Sequence, residues 1–132
     1  LEVVGLNDQI TESEFQEIIS RRSSGAIDFS EFLDELSKRG INEYEIDVAS
    51  GQATYKGVYS AFKTDSQVNL VVSDNFNRNK VLEAIANISL PFLDFLQEIA
   101  EAGIVTYRVF ILEKKVIYLG TNGEKVEEQL KI

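Results

Sequence analysis

A chain with neither histidine nor cysteine has few routes to covalent or acid–base chemistry. It lacks the commonest general base, the usual nitrogen ligand for metals and the thiolate nucleophile. Ser–Lys and Thr–Lys pairs are what remain, and no motif places one. Carboxylates come next: Asp28, Glu31, Asp34 and Glu35 share one predicted helix. Two carboxylates act as acid and base only where burial or a neighbouring charge shifts a pKa. Here they lie away from the apolar stripe, so they read as a helix cap and a solvated face. Asp74-Asn75-Phe76-Asn77-Arg78-Asn79 resembles the start of a calcium loop. It fails that pattern, with Phe76 at the third position, no glycine at the sixth and Ile85 at the twelfth. Helix capping explains it better. Asn87-Ile88-Ser89 is a formal glycosylation sequon, but nothing indicates secretion. Tyr44, Tyr55, Tyr107 and Tyr118 are the remaining group. They either line a ligand groove or form the inner layer of a helix-covered sheet, where strand parity already accounts for them. No catalytic residue, metal or cofactor is therefore expected, and the chain reads as a non-enzyme.

The elements that position the tyrosines repeat. Shifted by 63 positions, residues 29–57 align without a gap on 92–120, with nine identities in 29 positions. They include Phe29/Phe92, Phe32/Phe95, Leu33/Leu96, Gly40/Gly103, Tyr44/Tyr107 and Tyr55/Tyr118. Repeats of this kind determine the architecture. Each copy opens with a helix. Thr11 and Glu14 predict a capping box, with Ile10 and Phe15 as the hydrophobic staple. Asn77 caps the counterpart, with Phe76 and Val81 as staple. These first helices match at a shift of 66, which places three extra residues in the linker of copy one, around Arg21-Arg22-Ser23-Ser24-Gly25. The second helix of copy one is capped by Asp28. It carries Phe29, Phe32, Leu33 and Leu36 at the i, i+3, i+4, i+7 spacing of a buried stripe and stops at Gly40 in the left-handed conformation. Copy two repeats this with Phe92, Phe95, Leu96, Ile99 and Gly103, and with Pro91 in the first turn.

A hairpin follows in each copy. A two-residue turn at Ser50-Gly51 pairs Val48 with Ala53, Ile46 with Tyr55 and Tyr44 with Gly57. The same register places the second turn at Glu113-Lys114. Inner faces are then Tyr44, Ile46, Val48, Ala53 and Tyr55, and Tyr107, Val109, Ile111, Val116 and Tyr118. The outer faces differ: Glu45, Asp47, Thr54 and Lys56 against Arg108, Phe110, Leu112, Ile117 and Leu119. That apolar group is the candidate interface, to be covered by a second chain or by the apolar segment Val3-Val4-Gly5-Leu6. A third strand is expected at 68–72 in copy one. In copy two it follows Asn122-Gly123, with Val126, Leu130 and Ile132 alternating. The expected fold is α+β: a tandem duplication of an α-α-β-β-β unit, with antiparallel hairpins and paired helices packed on one face. One domain spans residues 1–132, with repeat 1 at about 7–72 and repeat 2 at about 73–132.

Composition bounds the partners. The net charge is −9, which opposes nucleic acid and anionic membrane surfaces. No apolar run reaches the length of a membrane span. Residues 1–6 lack a basic flank and a full apolar stretch, so no signal peptide is expected and the setting reads as cytoplasmic. The chain starts at Leu1 and contains no Met, so its start is expected to be trimmed or Leu1-Glu2 to be foreign.

The runs Asp28-Phe29, Gly40-Ile41, Tyr44-Glu45, Gly51 and Tyr55-Lys56-Gly57 together resemble the signature of the YdfO-like bacterial family of unknown function, some of whose members are labelled phage envelope protein. Asp94-Phe95, Ala102-Gly103-Ile104, Tyr107, Tyr118 and Gly123-Glu124 resemble its second repeat. The resemblance implies a tandem duplication and supplies no catalytic residue. Members often have histidine and cysteine in the loops, and this chain has neither. The leading expectation is a non-enzymatic, homodimeric protein-interaction module with its partner unknown; the alternatives are a small-molecule binder using the tyrosine layer and an acidic inhibitor of a host protein.

Overall fold

The structure is a computed structural model and describes residues 10–58, 61–87 and 89–130. Helices α1 (Glu12–Ser23) and α2 (Phe29–Lys38) precede strands β1 (Ile41–Asp47), β2 (Ala53–Gly57) and β3 (Ala61–Lys63). Helices α3 (Arg78–Ala86) and α4 (Phe92–Glu101) precede β4 (Ile104–Phe110), β5 (Lys115–Gly120) and β6 (Lys125–Gln129). The order helix–helix–strand–strand–strand thus occurs twice. The six strands form one antiparallel sheet in the order β3-β2-β1-β4-β5-β6.

The sheet's centre relates the copies. Glu45 of β1 pairs with Arg108 of β4, Tyr44 with Val109 and Ile46 with Tyr107. Arg108 is the equivalent of Glu45 at the 63-residue offset, and the flanking rungs exchange equivalents reciprocally. The two units therefore meet about a local twofold axis, and what one copy places beside the axis the other places opposite.

Local signals explain the helices. Thr11 and Glu14 form the expected capping box on α1, and Asp28 and Glu31 form one on α2. Asn77 accepts from the Lys80 amide at the start of α3. Gly40 and Gly103 both have φ of +86°, so each ends its helix in the region where only glycine avoids a steric cost. Gly103 has a second reason to be glycine: a Cβ there would lie 2.9 Å from the Asn75 carbonyl oxygen and the Phe76 Cα. The helices cover one sheet face. Phe32, Leu33 and Leu36 are buried there with Leu96 and Ile99, against Tyr44, Ile46, Tyr107 and Val109.

Several expectations are corrected. The three extra residues of copy one lie in the helix. α1 has twelve residues and α3 nine, while five residues separate the helices in both copies. The hairpin register is shifted by two residues from the one predicted. Tyr44 faces Tyr55, Ile46 faces Ala53 and Tyr107 faces Tyr118. The Asp47 carboxylate accepts from the Ser50 hydroxyl at 2.6 Å and from its amide at 3.2 Å, and the Gly51 amide donates to the Asp47 carbonyl. That local network widens the turn, and a shift of two leaves every side chain on its predicted face. Pro91 is the N-cap of α4 rather than part of its first turn. Copy one's third strand is β3, while 68–72 is irregular. Its backbone is drawn onto the β1–β2 loop, with the Gln67 and Val68 amides donating to Ser50 and that of Leu70 to Ala49. In copy two the strand after Asn122-Gly123 forms as β6, with Gly123 at φ of +89°. Ile132 and Val3-Val4-Gly5-Leu6 lie outside the described residues.

Candidate functional site

The inner face of the sheet carries the four tyrosines as two pairs. The rings of Tyr44 and Tyr55 stack at 4.7 Å, and those of Tyr107 and Tyr118 lie at 5.2 Å. Phe32 sets its edge against the first pair and Phe95 against the second. Aromatic edge-to-face packing of this kind adds stabilisation beyond area burial. All four tyrosines are buried.

Among the described residues a chamber opens between this layer and the helices in each copy. The larger has a volume of about 430 Å³ and is bounded by Phe29, Phe32, Tyr44, Ile46, Tyr55, Phe92 and Tyr107. The smaller, about 190 Å³, is bounded by Phe29, Phe95, Tyr107, Val109, Tyr118 and Tyr44. The walls are equivalents under the repeat, and Phe29, Tyr44 and Tyr107 are shared. The remaining lining differs. Around the larger chamber stand Arg22, Ser23, Thr64 and Gln67. Around the smaller stand Glu128 and Leu130.

The polar accounting differs with it. The Tyr118 hydroxyl donates to Glu128 Oε1 at 2.8 Å. Among the described residues no such acceptor serves the hydroxyls of Tyr44, Tyr55 or Tyr107. The reason lies in one rung of the sheet. Glu128 stands opposite Val116 and is long enough to reach Tyr118. Thr64 stands at the corresponding rung opposite Ala53, giving its amide to the Ala53 carbonyl. Its short side chain turns back to accept from the Ala53 amide at 2.9 Å. Burial raises all four phenols, most plainly Tyr44, where the neighbouring tyrosines add to it. They therefore remain protonated donors at neutral pH. The Arg22 guanidinium offsets part of the rise at Tyr44 and Tyr55. Burial raises the Glu128 carboxyl too, against the opposing effect of the Tyr118 hydrogen bond.

The carboxylates of α2 serve structure. Asp28 and Glu31 cap the helix, and Glu35 pairs with Arg21 at 3.1 Å and Arg39 at 3.7 Å. Among the described residues no group of three or more acidic side chains could hold a metal ion.

The sequence-predicted interface divides. Phe110, Ile117 and Leu119 share the outer face, which the helices leave open, but Leu112 sits in the β4–β5 turn. Leu112 is 66% and Leu119 36% exposed. Arg108 is engaged within the chain by Glu45 at 3.3 Å and Glu43 at 3.6 Å. The larger chamber brings Tyr44, Tyr55 and Tyr107 together with Arg22, Thr64 and Gln67, which sequence reasoning missed, and Tyr118 lines the smaller one. The three-residue mismatch between the first helices was the signal for Arg22. The extra turn of α1 is the one that carries Arg22 and Ser23 to the chamber.

The model of a family described as a protein of unknown function, DUF1398, matches residues 16–129. No curated protein matches the chain. No helix among the described residues is long and apolar enough to cross a membrane.

Proposed function

This chain belongs to the DUF1398 family of proteins of unknown function, and from that premise we propose that it is a small-molecule binding module whose ligand occupies the larger chamber. The observation behind the reading is the contrast between equivalent sites. One copy uses Glu128 to engage Tyr118, whereas the other surrounds more than twice the volume with hydroxyls that have no acceptor among the described residues. These hydroxyls open into the chamber, where a bound ligand would take the place of water as their hydrogen-bonding partner. The walls are aromatic with a few convergent polar groups, the usual make-up of a small-molecule site. The proposed role is binding without catalysis. The YdfO-like resemblance is a narrower proposal within the family and assigns no chemistry.

A thermal-shift screen of small apolar and aromatic compounds tests the reading. A ligand at about a hundredfold over its Kd stabilises by about 2.7 kcal/mol, which reads as a rise in Tm. Ser23→Trp, which fills the rim from an exposed position, should abolish the shift without lowering the starting Tm. Shifts that persist in this variant place the ligand elsewhere.

A second reading, a homodimeric interaction module, rests on the open outer face of copy two. Burying Phe110, Ile117 and Leu119 against a second chain is worth roughly 1.5–3 kcal/mol for each side chain fully covered. Light scattering should then report a dimer that Phe110→Glu with Leu119→Lys converts to a monomer. A monomeric parent chain removes this reading and leaves the first intact.

A further inference from the structure

Arg22 is the arginine at the larger chamber. Arg21 pairs with Glu17 and Glu35, Arg39 with Glu14 and Glu35, and Arg108 with Glu43 and Glu45; Arg78, outside this chamber's lining, donates to the Lys125 carbonyl. Like Arg78, Arg22 has no carboxylate partner among the described residues. It is held instead over the Phe29 ring, 5.8 Å from the centroid, with one N–H donated to the Ile27 carbonyl at 3.4 Å. A guanidinium has five donors in a fixed fork, so most remain available at the rim.

The charge of the chamber is one-sided. The Gln67 amide already donates to the Gly51 carbonyl, while Arg22 and the hydroxyls of Tyr44, Tyr55 and Tyr107 bring donors to the lining. None of its lining residues is acidic, although one residue in six of the chain is, 22 of 132. A neutral hydrocarbon would leave all these donors unmade. A cation would face a guanidinium with no compensating carboxylate. An anion meets both requirements, and the rings of Phe29, Phe32 and Phe92 offer its body an apolar lining.

We infer that the ligand is a small organic acid, an aromatic or aliphatic body bearing one anionic group, with that group bound by the Arg22 guanidinium and the tyrosine hydroxyls. This rests on the reading of the larger chamber as the binding site. Arginine suits the task because it meets a carboxylate, sulfonate or phosphate oxygen pair with two parallel hydrogen bonds.

Two fluorescent probes of nearly the same body separate the claims: anilinonaphthalenesulfonate, which is anionic, and N-phenylnaphthylamine, which is neutral. The full chain should bind the sulfonate at least about tenfold more tightly, the scale of a charge-assisted hydrogen bond. Arg22→Gln should erase that preference while leaving neutral-probe affinity and the circular dichroism spectrum unchanged. Arg108→Gln, which alters an arginine on the opposite face, should leave the preference intact. Equal binding of both probes, lost in Ser23→Trp, keeps the chamber as the site and overturns the acid inference. A sulfonate preference that survives Arg22→Gln also overturns it. Failure of both probes to bind, or binding unaffected by Ser23→Trp, removes the chamber reading itself.

Discussion

The larger and the smaller chamber are equivalent walls with different endings. Both are framed by a phenylalanine edge, a tyrosine pair and the shared residues Phe29, Tyr44 and Tyr107. Three differences separate them. Copy one adds a helical turn that carries Arg22 and Ser23. It places Thr64 where copy two places Glu128. It also has Gln67 where the 63-residue offset puts Leu130. In copy two a carboxylate closes the hydrogen bond of Tyr118 and an apolar side chain fills space. In copy one the corresponding positions leave donors open. A duplicated framework therefore needs few changes to assign one site to packing and its twin to binding, because the shared walls already supply the shape.

The largest effect should come from the glycines that end the second helices. Gly103→Val combines a left-handed φ with a backbone clash against residues 75 and 76, together worth about 2–4 kcal/mol. The neighbouring backbone cannot give way easily, since the Asn77 amide is tied to the Ala102 carbonyl at 2.9 Å. Gly25 is also at positive φ, but a Cβ there would meet nothing within 4 Å. Its replacement by Ala should cost only about 1 kcal/mol. Denaturant titration of the two variants checks the ordering. Equal losses would show that helix ending, and not close approach, governs Gly103.

Next in size is an exchange of the differing rung. Thr64→Glu should give Tyr55 an acceptor and place a carboxylate in the larger chamber. Sulfonate-probe affinity should fall by at least about tenfold, the cost of a like charge beside the ligand. Glu128→Thr should enlarge the smaller chamber without creating a sulfonate preference, because no arginine lines it. A preference appearing there would show that the tyrosines suffice and that the extra turn of α1 is dispensable.

What sequence reading reached, and what it missed, follows the range of the interactions. Caps, stripes and the positive φ of Gly40 and Gly103 depend on residues within a few positions and were legible. The tyrosine faces were legible because parity survives a register shift of two. The register itself was not, since it turns on the Asp47–Ser50 hydrogen bonds within the loop. The run at 68–72 has strand composition, yet its amides are captured by Ser50 and Ala49. Thr64 was invisible as a site residue because its role exists only by comparison with Glu128 across a sheet 64 residues away in the chain.

A smaller effect should follow from the turns. Lys114 is the equivalent of Gly51 and has φ of +55°, the one positive value outside glycine among the described residues. Lys114→Gly should relieve the left-handed strain, partly offset by the greater freedom of glycine in the unfolded chain, for a net gain of about 0.5 kcal/mol. Gly51→Ala should lose about 1 kcal/mol, because its Cβ would also stand 3.3 Å from the Val68 side chain. Opposite signs in matched denaturant curves would support equivalence of the turns. A loss in Lys114→Gly would mean that the lysine side chain contributes more than its backbone conformation costs.

The smallest expected effect is a difference in pH dependence between carboxylates of the two copies. Burial raises Glu128 above the ordinary value of 4.5, with the Tyr118 hydrogen bond opposing. The folded state therefore holds this proton more tightly than the unfolded chain. The group's stabilising contribution is full below the unfolded value and is lost as pH rises through the folded one. Glu14 in copy one is the reverse case. Hydrogen bonds from the Thr11 amide and hydroxyl hold it below the usual range. Its contribution is present above the unfolded value and is lost as pH falls through the folded one. Glu128→Gln cannot ionise, so its stability relative to the parent should rise as pH climbs above about 4.5. Glu14→Gln should show the opposite trend in a lower window, losing ground to the parent as pH climbs from below 4.5 towards that value. Urea titrations of both variants and the parent at about pH 3, pH 4.5 and pH 7 measure the two slopes. Absence of the rise in Glu128→Gln would mean that Glu128 is hydrated in solution, and the polar difference between the two chambers would then be lost.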